Sequence, residues 1–580
     1  MVSLTPSRGV HFPSKNIGAH SLKTVKIRLV ASLLLFFVLY LLILGKLFYW
    51  QILRSDDLKT IGVQQSSDKL PIQAKRGDIL ASDSFPLATN KVSYLLYANP
   101  KVVSDMSDYS RRLAPILGME EASIAAKLSQ DVFWVNLATK ITDSKKRDIE
   151  KLKLEGLGFQ EQNDRYYPEA SMAAQLVGFL GKDKKGANHG FFGLEGYYNA
   201  QMQGRDGSLY VVKDALGHPV VNDIREEKKI DGRSITLSLD RTIQYIIQKR
   251  LKEGVIKYEA EGGSVIVLET KTGKVLGMSS VPNFDPQVYY EFPQTSLRNP
   301  VLSDLYEPGS TFKVLVMASA IDLGVVKPDT KCSACDGPVR IGAYDISTWN
   351  KKYFDNPTMT EVIQHSDNTG MVFVGKKMGE DNLLAYLRRF GIGEYTDVDL
   401  QGEVKGDLRQ DWKEIDLATA TFGQGISITP MQLITGVNAI ANGGDLMRPY
   451  IVTKITQDNG RTIEIKPKII RKVIKESSAK AMTWMMVNAV EKGEAQWTKL
   501  PGYSVAGKTG TAQIPVAGHY NPNETIASFV GFFPAEEPKI TMLVVVHKPK
   551  TSIYGADTAA PIFFKAAQDI INYYGIPPGH

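Results

Sequence analysis

Three serine–lysine pairs at i and i+3, and two copies of one tripeptide, are the parts of this 580-residue sequence best equipped for covalent chemistry. A serine hydroxyl is a weak nucleophile at neutral pH and needs a base within hydrogen-bond reach. A lysine can be that base when desolvation disfavours its charged form. Ser310 and Lys313, in "YEPGSTFKVLVMASAIDLG", fit both needs. The i+3 spacing puts them on one helix face, and residues apolar nearly all round imply a buried helix that Gly324 ends. Ser310 also sits near the helix N-terminus, where developing negative charge is favoured. The other two pairs lack this context. Ser66 and Lys69 lie in a polar stretch, and Ser477 and Lys480 open "ESSAKAMTWMMVNAV", where Ser477 or Ser478 reads as an N-cap.

The tripeptide Lys-Thr-Gly needs the same sorting by context. Lys271-Thr272-Gly273 falls between the strand-like runs "SVIVLE" and "KVLGMSS" and reads as a hairpin turn, with glycine supplying the positive φ. Lys508-Thr509-Gly510 lies within "YSVAGKTGTAQ", itself a strand pattern. Between the serine–lysine pair and this strand, Thr358 and Glu361 form a capping-box pattern, and the helical period behind them breaks at Ser366-Asp367-Asn368. His365, beside Ser366, reads as structural, because Lys313 already fills the role of base.

These residues need elements to position them. Ile243, Ile246, Ile247 and Leu251 recur at helical spacing ahead of the two strands around Lys271. At the far end "YSVAGKTGTAQ", "TIASFVGFF" and "KITMLVVVHK" read as three strands, followed by an apolar helix in "PIFFKAAQDIINYY". Runs so close together pair most simply as antiparallel neighbours, and the two end segments are expected to join one sheet in an α+β domain with a helical middle. From about residue 55 to 235 the chain is charged and irregular, with short alternating stretches such as "VSYLLYANP" and "GSLYVVKDA", which implies an extended β-containing module.

The uncharged run "LVASLLLFFVLYLLILG" would span roughly 26 Å as a helix, and Phe48, Tyr49 and Trp50 behind it favour the headgroup level. It is too long for the core of a cleaved signal peptide, so a retained anchor is expected. Arg8, Lys15, Lys23, Lys26 and Arg28, with no acid before the run, would keep the N-terminus cytoplasmic. Expected domains are therefore a tail at 1–28, an anchor at 29–50, a β-containing module at 51–235 and, at 236–580, the domain that carries Ser310 and Lys508. The net charge of +7 is too diffuse to argue for nucleic acid. The eight histidines show no H-E-x-x-H spacing, so neither metal nor cofactor is expected. Cys332 and Cys335, the only cysteines, form a local bridge or stay as two idle thiols.

The order Ser310-x-x-Lys313, Ser366-Asp367-Asn368, Lys508-Thr509-Gly510 resembles the three signatures of the penicillin-recognising acyl-transfer enzymes. "EPGSTFK", "FGQGISITPMQL" and "AGKTGTAQ" are close to that family's blocks. Upstream, "KRGDILASDSFPLATN", "DRYYPEASMAAQLVGFLG" and "GFFGLEGYYNAQMQGRDG" resemble the pedestal of class B penicillin-binding proteins, the single-pass D,D-transpeptidases of peptidoglycan. The resemblance runs from about Lys75 to the C-terminus. It implies a penicillin-binding, β-lactamase-like transpeptidase domain: an antiparallel sheet with helices on both sides plus a helical subdomain, behind a β-rich pedestal and one transmembrane helix.

The resemblance also implies roles. Ser310 would attack the stem peptide between its two D-alanines, and Lys313 would take the serine proton. Ser366 would relay a proton toward the leaving amine, Asn368 would bond the substrate amide, and Asp367 would be structural. Lys508, Thr509 and Thr511 would hold the substrate's carboxylate, Gly510 would let the strand come close, and the backbone N–H groups of Ser310 and Thr511 would form the oxyanion hole. Implied partners are peptidoglycan stem peptides, β-lactam antibiotics, and a SEDS-family glycosyltransferase with other division or elongation membrane proteins. "KTGTAQ" and the short pedestal resemble the septal members more than the elongation type. A D,D-carboxypeptidase, a β-lactamase or a β-lactam sensor on the same scaffold, and a scaffold that only activates a polymerase, are the competing readings. A β-lactamase of class A needs a deacylating glutamate, and no motif places one here.

Overall fold

The computed structural model describes residues 19–58, 67–213, 219–409, 411–516 and 519–579. Arg8, Lys15 and Ser66 lie outside the described residues. The chain forms two compact units. One holds the residues up to Ile72 together with Gly207–Lys228. Its helix α1 (Ala19–Phe48) starts ten residues before the apolar run and continues into one wider turn, Tyr49–Leu53. The stretch Thr24–Leu53 is long and apolar enough to cross a membrane. The same unit contains a three-stranded antiparallel sheet.

The second unit holds Gln73–Asp206 and Lys229–His580. Its centre is a five-stranded antiparallel sheet of β1 (Gly262–Glu269), β2 (Val275–Val281), β3 (Ala506–Val516), β4 (His519–Phe533) and β5 (Ile540–His547), in the order β2-β1-β5-β4-β3. The two ends of the sequence do join, because β1 pairs with β5 along its whole length, from Gly262 against His547 to Glu269 against Ile540. Successive side chains of β1 and β5 alternate between two covered faces, so both faces of these strands are apolar. Val265, Val267 and Val544 pack with Ile243 and Ile247 of α2 (Arg241–Lys257) and with the C-terminal helix Ala559–Tyr574. Ile266, Leu268, Leu543 and Val545 share the opposite core with the helical middle of the chain. Each such side chain contributes about 1.5–3 kcal/mol through burial.

Lys271-Thr272-Gly273 makes the turn between β1 and β2, with Gly273 at φ +75° and its N–H bonded to the Glu269 carbonyl. A seven-stranded sheet draws strands both from residues 79–166 and from residues 234–237 and 452–464. The first of these regions also contains helices at Met106–Leu117, Glu121–Leu128 and Asp143–Lys151, which the sequence pattern did not disclose. The last of them buries only Ile149, so its nine residues carry no apolar stripe to detect. Cys332 and Cys335 are bonded to each other as a disulfide and are fully buried.

Candidate active site

Ser310 lies on a single tight turn (Gly309–Phe312) that feeds α3 (Lys313–Leu323), so the regular helix starts at the lysine rather than at the serine. Two glycines allow this turn. Gly309 has φ +57°, and a Cβ on it would stand 3.1 Å from the Thr511 carbonyl oxygen. Its N–H donates to the Gly423 carbonyl at 3.0 Å, and a Cβ on Gly423 would meet the Gly309 backbone at 2.2 Å. The turn is thus pressed against β3, the edge strand whose outward backbone groups are free of β4.

Lys313 is fully buried, and its ammonium converges on the middle signature. Nζ donates to the Ser366 carbonyl at 2.6 Å, to Asn368 Oδ1 at 2.8 Å and to Ser366 Oγ at 3.3 Å. Burial, reinforced by the charge of Lys508 and opposed by Asp367 and Glu494, brings its pKa down to about 7. Near neutral pH a large fraction of this amine is therefore free base.

The turn between α4 (Met359–Gln364) and α5 (Asn368–Met378) carries Ser366 at φ +56°, a left-handed conformation that costs a serine about 1–3 kcal/mol. Asp367 follows it as the N-cap of α5: its Oδ1 accepts from the N–H groups of Thr369 and Gly370 and from the Thr369 hydroxyl. The capping box of Thr358 and Glu361 starts α4 as the spacing implied. His365 stacks its ring on Phe354 at 4.2 Å.

Lys508 and Thr509 are buried on β3. Lys508 Nζ donates to Thr509 Oγ1 at 3.0 Å, and the Thr509 hydroxyl donates to Glu494 Oε2 at 2.8 Å. Burial pushes the Lys508 pKa down, and Glu494 opposes that. Thr511 Oγ1 accepts from the Gly555 N–H at 3.0 Å. A Cβ on Gly510 would stand 2.4 Å from Ser528 Oγ, 2.8 Å from Thr311 Cγ2 and 3.2 Å from the Pro308 oxygen, so only glycine lets the serine turn lie this close. A cleft of about 510 Å³ opens over Ser310, Ser366, Asn368, Thr509 and Thr511.

The arrangement can therefore present a half-buried hydroxyl, a neutralisable amine one turn away, and a cationic strand edge to one ligand. Three further lining residues escaped the sequence pattern. Glu494 follows the end of helix Glu476–Lys492 with no motif around it, and Trp349 and Tyr554, whose rings meet edge to face at 5.4 Å, lie on loops without periodicity. The remaining serine–lysine pair stands apart from this cleft. Ser477 and Ser478 lie inside their helix, whose N-cap is Lys475; Ser478 donates to Asp322 Oδ1, which also accepts the Lys475 N–H, so the N-cap expected of Ser477 or Ser478 is corrected.

Comparison with known proteins gives this geometry its context. Residues 263–568 match the model of the penicillin-binding protein transpeptidase domain, and residues 71–237 match that of the penicillin-binding protein dimerisation domain. The chain belongs to the class B penicillin-binding proteins. As a member of these penicillin-binding proteins it is a serine transpeptidase. It is 33% identical to stage V sporulation protein D of Bacillus subtilis, over 96% of this chain and 87% of that protein. It is 29% identical to the peptidoglycan D,D-transpeptidase FtsI of Escherichia coli, over 92% of this chain and 90% of that protein. Among solved structures, penicillin binding protein 2X of Streptococcus thermophilus matches with a TM-score of 0.74 and 25% identity, covering 88% of this chain and 80% of that one. A peptidoglycan synthetase of Bifidobacterium adolescentis matches at 0.72 and 26%, covering 89% and 98%.

Proposed function

We propose that the protein cross-links peptidoglycan stem peptides through an ester on Ser310. Lys313, as free base, takes the Ser310 proton while Oγ attacks the carbonyl between the two D-alanines. The developing oxyanion is met by the backbone N–H groups of Ser310 and Thr511, each donor worth about 2.7–4 kcal/mol where such donors have been removed. The C–N bond then breaks, Ser366 passes the proton to the departing amine, and D-alanine leaves. Asn368 orients the substrate amide; Lys508 and the Thr509–Thr511 stretch of β3 receive its carboxylate. An amine of a second stem peptide attacks the ester, and the proton it loses returns to Ser310. β-Lactams enter the same sequence and remain as the acyl-enzyme.

The observation that supports this reading most is the convergence of the buried Lys313 ammonium on Ser366 and Asn368, one helical turn from Ser310. Ser310→Ala tests it. The variant should fold, shown by an unchanged melting temperature, and lose all covalent labelling by fluorescent penicillin; continued labelling would refute the nucleophile. Rapid turnover of penicillin by the wild type would replace the transpeptidase with a β-lactamase.

The wider setting rests on the same reading. The tail at 1–28 lies in the cytoplasm, 29–50 spans the membrane, 51–235 is a pedestal and 236–580 the catalytic domain on the outer side. The septal form of wall synthesis, with a SEDS-family glycosyltransferase as partner, is favoured by the "KTGTAQ" block and the short pedestal. Imaging a tagged protein in dividing cells tests it: enrichment along the side wall rather than at the septum would exclude the septal role.

A further inference from the structure

The site assigned to the substrate's carboxylate already contains a carboxylate of the protein. Thr509 accepts from Lys508 Nζ and donates to Glu494 Oε2, and a hydroxyl has only one proton to give. While this chain of bonds persists, Thr509 has no donor left for a ligand. Thr511 differs, because its oxygen accepts from the Gly555 N–H and its proton stays available to the cleft.

The placement of Glu494 serves no purpose for its own helix. It follows Gly493, the C-cap of the helix Glu476–Lys492, where the negative end of the helix dipole disfavours an acid. Its approach to β3 depends on a close contact: a Cβ on Gly493 would stand 2.2 Å from the Ala489 oxygen and 2.7 Å from the Gln364 oxygen. Gln364 Nε2 also donates to the Lys492 carbonyl at 3.4 Å, so the end of this helix is tied to the end of α4, next to Ser366. One junction thus presents Ser366 and Glu494 to the same cleft.

We propose that Glu494 is a positioning residue for acylation: through the Thr509 hydroxyl it holds Lys508 charged and in place, and leaves Thr511 as the hydroxyl that meets the substrate's carboxylate. The proposal rests on the assignment of Ser310 as nucleophile. Glu494 favours the charge of Lys508, whereas Lys508 itself acts against the charge of Lys313 from α3, which Asp367 at the start of α5 and Glu494 support. Burial lowers the Lys508 pKa and Glu494 is the one group that raises it again. A lysine loses its charge as pH rises through its pKa, so removal of Glu494 moves that loss to lower pH.

The test uses the full-length protein in detergent and the rate of labelling by fluorescent penicillin, a carboxylate-bearing ligand, across an alkaline pH series. Glu494→Gln should label about tenfold more slowly above neutral pH, with the alkaline fall shifted to lower pH. Glu494→Asp should return the fall toward its original position. Thr509→Val, which breaks the same chain of bonds, gives a second route if Glu494→Gln melts early, and should move the alkaline fall to lower pH likewise. Labelling as fast as wild type, or faster, by a folded Glu494→Gln or Thr509→Val protein with an unmoved pH profile would overturn the proposal and leave the nucleophile untouched. Labelling that persists in Ser310→Ala would overturn the nucleophile and this proposal with it.

Discussion

Lys313 Nζ lies 2.8 Å from Asn368 Oδ1 across a separation of 55 residues in the chain, and the same nitrogen bonds the Ser366 carbonyl at 2.6 Å. One buried amine therefore joins two signatures that the sequence shows only as separate strings. Its hydrogen bonds fix the end of a flexible side chain beneath the cleft, and its burial favours the free base.

The first expectation concerns that proton. With a pKa of about 7, Lys313 gains free-base form as pH rises through neutrality, so labelling by penicillin should climb between about pH 6 and about pH 8, ahead of the alkaline fall that follows loss of the Lys508 charge. Lys313→Ala should lower the rate by about 10²–10⁴ and abolish the acidic limb. Stopped-flow or gel-based labelling rates over pH measure both; a wild-type rate flat through neutrality would remove Lys313 as the base.

Asp367 offers a structural counterpart. Its Oδ1 caps α5 directly after the left-handed Ser366, so Asp367→Ala should cost about 0.5–2 kcal/mol of stability and also slow acylation through a misplaced Ser366. Thermal denaturation and labelling report the two effects. A variant with normal stability and normal labelling would show that Ser366 keeps its conformation unaided.

Gly510 is expected to tolerate nothing larger. Alanine there would drive a methyl group into Ser528 Oγ and Thr311 Cγ2, which pushes β3 away from the serine turn. Gly510→Ala should fold with reduced stability and lose most of its labelling, whereas Gly337→Ala, whose Cβ would meet nothing within 4 Å, should be silent in both measurements.

The two Lys-Thr-Gly copies predict opposite outcomes for one substitution. Lys271 is exposed on the β1–β2 turn, so Lys271→Ala should change stability by no more than about 0.5 kcal/mol and leave labelling intact. Lys508→Ala removes the buried cation of β3 and should abolish acylation. Equal behaviour of the two variants would mean that the strand copy is not part of the site.

Much of this was legible in the residues. The helix bearing Ile243, Ile247 and Leu251, the strands around Lys271, the three C-terminal strands and the capping box of Thr358 all follow from local period and local hydrogen bonding, which neighbouring residues specify by themselves. The order of Ser310, Ser366 and Lys508 was likewise enough to identify a family resemblance. The helix Asp143–Lys151 was not legible, because a surface helix that buries one side chain has no stripe to read.

Only the tertiary structure decided what the signatures touch. That Lys313 bonds the Ser366 carbonyl, that Thr509 gives its proton to Glu494, and that Trp349 meets Tyr554 over the cleft depend on how helices and loops pack against the edge of one sheet. Sequence spacing encodes the period of a single element, so it determined which residues share a strand or a helix face. Contacts between elements carry no period, and Glu494 became part of the site only when a glycine allowed a helix end to pack tightly against its neighbours.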